Sequence, residues 1–288
     1  MTATAAATTR LRFTKMHGAG NDFVVINATR QPFVASPQLL RALTDRRFGV
    51  GCDQVLVLQA ASAPGVDFDY RIFNADGAEV GQCGNGARAL ALFIREEGLS
   101  SKTELTVQTA TARMILRIVA GGEVQVDMGA PRFESADIPL TLPTAEHYQL
   151  RLPGFGEVRF GAVSMGNPHA VILVDDVVGA PVEAIGPALQ AQAVFPESVN
   201  VGFLQRLSAS EGRLRVYERG SGETLACGSG ACAAYAVARQ WGLFTGDARL
   251  HLSGGTLTLQ WQGGNAGVLM TGPATTVFKG ELEWPKQL

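Results

Sequence analysis

The sequence predicts an α+β fold of two similar halves, each mostly strands with one central helix. Three observations predict it. The stretch Cys83-Gly84-Asn85-Gly86-Ala87 is nearly repeated as Cys227-Gly228-Ser229-Gly230-Ala231, 144 positions later in a chain of 288 residues. Other blocks repeat in the same order. Glu79 falls on Glu223 at that offset, while Gly20-Asn21 with the apolar run 23–26, and Gln54-Val55-Leu56-Val57, match Gly166-Asn167 with 170–173, and Asn200-Val201-Gly202-Phe203, at an offset of 146. Three blocks in register argue for duplication of a half-chain unit. The segments around them are Val/Ile/Leu-rich or alternating, with turn residues nearby, which is the strand signal.

In chain order, residues 1–10 are Ala/Thr-rich and read as a disordered lead-in without the apolar core of a signal peptide. Strands are expected at 11–15, 22–27, 54–58, 68–73, 104–108, 112–119 and 123–128. A peripheral helix over 37–47 starts with Ser36 as N-cap and Pro37 in the first turn. The helix after Cys83 runs to about Glu97 and stops at Gly98. A boundary near Gly129-Ala130-Pro131 separates a first domain, 11–129, from a second, 130–272. The second half offers strands at 149–152, 157–165, 169–174, 200–207, 213–218, 248–252, 256–261 and 266–271. A helix over 181–193 is expected to break or kink at Pro187. The helix after Cys227 runs to about Trp241 and stops at Gly242. Residues 273–288, with a short strand at 275–279, are expected to return to the first domain.

The second inner helix, ACAAYAVARQW, is small and apolar around most of its circumference. Such a helix is usually buried on all sides. Strands wrapped around it would do this, and so would packing under an open sheet; periodicity does not separate the two.

Composition narrows the function. The chain is 46% hydrophobic with a formal net charge of −2. No long basic run exists, so nucleic acid and anionic membranes are not expected partners. The apolar stretches are interrupted well short of a membrane span. Four cysteines, Cys52, Cys83, Cys227 and Cys232, read as free thiols in a reducing cytoplasm. There is no Cys-x-x-Cys, and His17, His147, His169 and His251 lack ligand spacing, so no metal is expected.

The cysteine pair carries the chemistry. A cysteine at a helix N-terminus is placed to be a thiolate, because unsatisfied N–H groups and the helix dipole favour negative charge there. The amides of Gly84-Asn85 and Gly228-Ser229 form two anion cradles. A carboxylate held between them would have a thiol on each face. One thiolate would take the proton from the adjacent carbon and the other thiol would return one from the opposite side, inverting the stereocentre. Cys52 and Cys232 read as inert core residues. His169 either polarises a thiol or is a satisfied structural histidine. Glu218 is either a ligand carboxylate or half of an ion pair with Arg219. Asn21, Gln54, Asn74, Asn85, Asn167 and Asn200 are singly turn residues, and together a set able to read ammonium and carboxylate groups.

These motifs resemble those of the diaminopimelate epimerases. The likeness rests on Lys15-Met16-His17-Gly18-Ala19-Gly20-Asn21-Asp22-Phe23, Phe73-Asn74-Ala75-Asp76-Gly77, Cys83 to Arg88, Gly166-Asn167-Pro168-His169, and Tyr217-Glu218-Arg219-Gly220 leading to the second cysteine block. It spans about residues 11–280. The resemblance implies two pseudo-symmetric domains, each a curled mixed sheet around a central helix, with the site in the cleft between them. It implies a cytoplasmic homodimer that interconverts LL- and meso-diaminopimelate without pyridoxal phosphate or metal, serving lysine and peptidoglycan precursor synthesis. Cys83 and Cys227 match the base/acid pair, and His169 and Glu218 the groups that tune them. Asn21, Gln54, Asn74, Asn167, Asn200, Glu218 and Arg219 match substrate contacts, and Gly84-Asn85 with Gly228-Ser229 the carboxylate cradle. Cys52 stands where many relatives carry Phe, and Phe278 where some carry a Tyr linked to dimerisation.

Proline or hydroxyproline racemases of the same broad fold are the nearest alternative, but they tend to have Cys-Gly-His-Gly where this chain has Asn85. The isomerases related to phenazine synthesis lack the two-cysteine pair. A non-catalytic amino-acid-binding protein would have no reason for a thiol at both helix mouths.

Overall fold

The computed structural model describes residues 8–285. The chain divides into two compact units, Met1–Val124 with Ala274–Leu288, and Gln125–Pro273. The first contains β1 (Thr8–Gly18), β2 (Asn21–Asn27), α1 (Pro37–Thr44), β3 (Gln54–Ala60), β4 (Phe68–Asn74), β5 (Glu79–Val80), α2 (Gly84–Glu96), β6 (Glu104–Gln108) and β7 (Arg113–Ile118). The boundary falls within β8 (Val124–Asp127). The second unit holds β9 (Tyr148–Leu152), β10 (Gly156–Ser164), β11 (Pro168–Leu173), α3 (Val182–Gln190), β12 (Asn200–Arg206), β13 (Glu211–Glu218), β14 (Gly222–Thr224), α4 (Gly228–Gln240), β15 (Ala248–Leu252), β16 (Gly255–Gln260) and β17 (Leu269–Gly272). The chain then returns to the first unit as β18 (Thr275–Pro285).

The repeated sequence blocks become repeated strand pairings. In the first unit β2 runs parallel to β3 with Phe23 opposite Gln54, and β4 folds back on β5 with Phe73 opposite Glu79. In the second, β11 runs parallel to β12 with His169 opposite Asn200, and β13 folds back on β14 with Tyr217 opposite Glu223. The two parallel pairs are flanked by antiparallel ones, β3 with β4 and β12 with β13. Even an ion pair is duplicated. Arg71 grips Glu79 with two bonds of 2.8 and 2.7 Å, and Arg215 grips Glu223 with two of 2.6 and 2.8 Å. Both pairs are partly exposed, so each contributes at most about 1 kcal/mol and mainly holds the hairpin in register.

Each unit wraps its strands around one helix. α4 packs against β10, β11, β12, β13, β15 and β16. Residues 231–238 of α4 have no exposed surface at all. α2 is enclosed by β1, β2, β3, β7 and β18. Contact from strands on several sides, rather than from one sheet face, decides between the wrapped and open arrangements. It also explains the small residues. At Gly161 on β10, a Cβ would lie 2.5 Å from Val237 and 2.9 Å from Trp241.

Several elements differ from expectation for identifiable reasons. The lead-in assigned to 1–10 lies outside the described residues up to residue 7. Thr8 to Arg10 are already strand, because backbone pairing with β18 at the far end of the chain holds them there. No alternation in those residues signals it. α1 ends at Thr44 rather than 47, because the Asp45 carboxylate accepts the N–H groups of Arg47 and Phe48 at 2.7 and 2.8 Å and turns the chain. α3 is helical on both sides of Pro187, so the expected break is absent. A proline forfeits one backbone bond, and the Pro187 carbonyl still accepts from Ala191. β17 begins at Leu269 rather than 266, because Ala266 closes a turn on Gly263 and its carbonyl accepts from the Trp261 indole. β5 and β14 are too short to show alternation.

Replacing Gly161 with Ala is expected to lower stability by about 1–3 kcal/mol through overpacking against α4, measured by chemical denaturation.

Candidate active site

Both cysteines cap their helices with sulfur. Cys83 has extended backbone angles (φ −148°, ψ 108°) and its Sγ accepts the Gly86 N–H at 3.3 Å. Cys227 (φ −117°, ψ 111°) accepts the Gly230 N–H at 3.4 Å. This is the N-cap role usually filled by Ser, Thr, Asp or Asn. Packing favours glycine at the third residue in both copies, more sharply in the first. A Cβ on Gly86 would lie 2.4 Å from the Tyr70 hydroxyl, and one on Gly230 would lie 3.2 Å from the Cys227 sulfur and 3.1 Å from Val216. The motif glycine therefore lets the amide reach sulfur while the helix end seats on the strand beneath.

Amides are among the groups around Cys83. The thiol faces the Asn21 Oδ1 at 3.9 Å. The same oxygen accepts from the Asn85 side chain at 3.3 Å, and Asn85 accepts from the buried Arg88 guanidinium at 2.8 Å. The Asn21 amide nitrogen donates to Asp53 at 2.9 Å. A carboxylate only accepts, so Asp53 dictates that the Asn21 carbonyl turns towards the sulfur. Asp53 belongs to a larger network. Arg46 donates two bonds to Asp22, of 2.9 and 2.8 Å, and one of 2.7 Å to Asp53, while Lys15 bonds Asp22 and the Gly51 carbonyl. Burial alone would raise the Asp22 pKa, but Arg46 and Lys15 hold it well below the usual carboxylate range. Gln54 donates to Asn74 at 2.8 Å, which leaves its own Oε1 buried without a hydrogen-bond partner.

Cys227 sits differently. It is buried, and burial pushes its thiol well above the ordinary value; the Glu218 charge and a hydrogen bond to Glu218 add to the rise. Ser229 and the Gly230 amide pull the other way without reversing it. The thiolate expected at this helix mouth is thus overruled, by burial first and by the carboxylate beside it second. Glu218 also accepts from Thr224 at 2.5 Å.

His169 reaches Cys227 only through intermediaries. Its Nε2–H donates to the Asn167 Oδ1 at 2.9 Å, the Asn167 nitrogen donates to Ser229 at 3.4 Å, and the Ser229 hydroxyl lies 3.6 Å from the Cys227 sulfur. The imidazole is buried, and burial, then the Arg219 charge, lower its pKa to about 3. Neutral His169 orders the amide and hydroxyl that touch the thiol. Asn200 spends both ends on backbone, donating to the Pro168 carbonyl at 3.0 Å and accepting the Arg219 N–H at 2.9 Å. That second bond sets the bend that follows Glu218. Arg219 is exposed and donates to the Glu197 carbonyl at 2.8 Å.

Cys52 is buried with Val24, Leu40, Leu43 and Val55, and its thiol is pushed up to about 12, chiefly by burial. Cys232 is buried within α4. Among the described residues, no cluster of three or more His, Cys, Asp or Glu side chains is arranged to hold a metal, and no helix is long and apolar enough to cross a membrane.

The family model for diaminopimelate epimerase matches residues 13–134 and again 161–277, one match per half. The chain belongs to the diaminopimelate epimerase family. It is 53% identical over 277 residues to the diaminopimelate epimerase of Thioalkalivibrio sulfidiphilus, covering 95% of this chain and 99% of the relative. It is 50% identical over 275 residues to that of Chromobacterium violaceum, with the same coverage. Among solved structures, a hydroxyproline epimerase from Agrobacterium vitis superposes with a TM-score of 0.70 at 17% identity, covering 96% of this chain and 94% of that one. A phenazine biosynthesis protein of the PhzF family from Bacillus anthracis superposes with a TM-score of 0.67 at 16% identity, covering 95% and 99%. These two share the fold.

Within this diaminopimelate epimerase family chain, the sequence motifs pointed to Asn21 but not to Asp53, Arg46, Asp22 and Lys15 behind it. The chain order Asn21-Asp22 and Asp53-Gln54 puts an acid beside each amide, and that adjacency was the available signal. Tyr70 carries no such signal, being one aromatic between Asp69 and Arg71 in an ordinary alternating strand.

Two outcomes are expected. His169 is depressed from 6.5 to about 3 in the folded state, so the folded protein binds fewer protons than the unfolded one between these values. Its contribution to stability is complete above pH 6.5 and is lost as pH falls towards 3, at up to about 1.4 kcal/mol per pH unit. Denaturation across that range should show a shallower slope in His169→Gln than in the parent. Separately, Glu218→Gln should lower the pH at which Cys227 is alkylated by iodoacetamide, read by peptide mass spectrometry, because the charge that opposes its ionisation is gone.

Proposed function

We propose that this chain interconverts LL- and meso-2,6-diaminopimelate by two-base proton transfer at the α-carbon, with Cys83 and Cys227 as the pair. The observation that carries the reading is the matched sulfur cap. In a chain of this family, both helices begin with a cysteine whose sulfur accepts the amide of the third helical residue. A helix N-terminus that holds sulfur also presents amides to a carboxylate. Gly84-Asn85 and Gly228-Ser229 are the proposed cradle. It would stabilise charge developing on the substrate carboxylate as the α-proton leaves.

The environments of the sulfurs divide the work. Cys227, with its thiol held protonated by burial and Glu218, enters as the donor. Cys83 then takes the α-proton on the opposite face. After one turnover Cys83 is the thiol and Cys227 the thiolate, so the reverse reaction uses the same pair with roles exchanged. His169 and Glu218 tune Cys227. Asn21, Gln54, Asn74, Asn167, Asn200, Glu218 and Arg219 are the proposed substrate contacts. The unpartnered Gln54 Oε1 supports an N–H or ammonium donor there.

The two compact units would be the two halves of the epimerase, the first completed by β18. No pyridoxal phosphate is required in this reading. Of the described lysines, Lys15 is bound by Asp22 and Gly51, Lys102 by Asp67 and Lys279 by Glu97. The proposed assembly is a cytoplasmic homodimer supplying lysine and peptidoglycan precursors. Half-exposed Val277 and Phe278 on β18 support an apolar contact there, though without the hydroxyl of a tyrosine.

With LL-diaminopimelate in D₂O, deuterium should appear at the inverted carbon. Cys83→Ala and Cys227→Ala should each reduce turnover by at least about 100-fold. Full activity in either variant overturns the two-base account. Turnover of proline or hydroxyproline in place of diaminopimelate overturns the substrate.

A further inference from the structure

The Tyr70 hydroxyl on β4 is fully buried and has no hydrogen-bond partner. Burying a hydroxyl unsatisfied is costly, and such groups are scarce in folded proteins. Its surroundings say what it faces. The point where a Cβ on Gly86 would lie is 2.4 Å from this hydroxyl and 3.4 Å from the Cys83 sulfur. The separation of oxygen and sulfur therefore cannot exceed the sum of these two distances. The motif glycine at the third helical position puts no side chain of its own there, and the Leu56 methyl, 3.3 Å from the same point, is the apolar neighbour.

We propose that Tyr70 is a positioning residue for the reaction, its hydroxyl donating to the Cys83 sulfur when that sulfur is a thiolate. The proposal rests on the reading of Cys83 as one of the two proton-transfer groups. Three features support it. An unsatisfied donor beside a thiol contributes nothing to the neutral state and becomes favourable only when charge appears, which is when the reaction needs it. The phenol is itself held protonated, by burial first and the neighbouring Cys83 charge second, so it remains a donor throughout the titration of the thiol. The second unit has no counterpart. At the offset of 144 Leu214 takes the place of Tyr70, and there Glu218 beside Cys227 favours the protonated thiol instead. A donor behind one sulfur and a carboxylate behind the other set base and acid apart.

Other groups near Cys83 include the neutral amide of Asn21, which also bonds Asn85, with the buried guanidinium of Arg88 on Asn85 and Asp53, Arg46, Asp22 and Lys15 behind Asn21. None of these is altered by removing one oxygen from Tyr70. Tyr70→Phe is therefore a clean variant, and deleting an unsatisfied hydroxyl should leave the Tm unchanged or raise it.

The test uses the full-length chain without substrate. The pH dependence of Cys83 alkylation by iodoacetamide is followed by peptide mass spectrometry, with Cys227 in the same digest as internal control. In Tyr70→Phe the Cys83 midpoint should rise by about one pH unit, the size expected for a lost hydrogen bond to a charged group. The Cys227 midpoint should stay within error. The acid limb of the kcat profile for diaminopimelate should move in the same direction, with KM little changed. An unmoved Cys83 midpoint overturns the proposal whatever happens to activity. If instead the midpoint rises while Cys83→Ala keeps full turnover, the donor assignment stands and the two-base reading fails.

Discussion

The arrangement depends on one bond made twice: a helix amide, three residues into the motif, donated back to the sulfur of the cysteine that caps the helix. That bond fixes the thiol at the positive end of the helix dipole. It is possible only because the donor residue is glycine and the helix end can press onto the strand beneath it. It also requires the helix to be stationary. Strands on several sides of α2 and α4 supply that, and the alanine-rich surface of α4 is the consequence of being surrounded. An inner helix with larger side chains would push the strands apart and with them the strand ends that carry Asn21, Asn74 and Glu218 and the turn that carries Asn167.

Around this common bond the copies diverge in side chains rather than backbone. Phe23 and His169 occupy the same register against their parallel neighbours, yet one is packing and the other starts the relay through Asn167 and Ser229 to sulfur. Asn74 and Glu218 end equivalent strands, one neutral and one charged. Asn85 and Ser229 follow equivalent glycines. The backbone ladder tolerates these exchanges because the ladder is made by main-chain groups. The surroundings of the sulfurs do not: burial first, and the Glu218 charge second, raise the Cys227 thiol. The network from Lys15 through Asp22 and Arg46 to Asp53 serves a related end on the first copy. Its last member turns the Asn21 amide, so that an oxygen and not a nitrogen faces Cys83.

Much of this was legible in the chain. The order of strands and the positions of both inner helices followed from alternation, glycine stops and the duplicated blocks, because these are local signals. The cysteines and the amides around them were legible as repeated motifs. What escaped was non-local or too short. β5 and β14 have too few residues for a period. The first residues of β1 are strand only because β18 lies alongside. The duplicated motif already separates Cys227 from Cys52 in the sequence, but the raised thiol of Cys227 depends on burial and on Glu218, which the motif does not contain.

By itself the sequence determined that two equivalent halves exist, that each presents a cysteine at a helix mouth, and which polar residues accompany it. Its spacing carries that information because secondary structure and turns are chosen by neighbours along the chain. Only the tertiary structure decided that strands surround each helix, that His169 is neutral and reaches Cys227 through Asn167 and Ser229, and that burial and Glu218 raise the Cys227 thiol despite the helix dipole. It alone showed that Tyr70 stands behind Cys83. Those outcomes depend on desolvation and on charges brought close through space, and neither quantity is a property of any stretch of sequence.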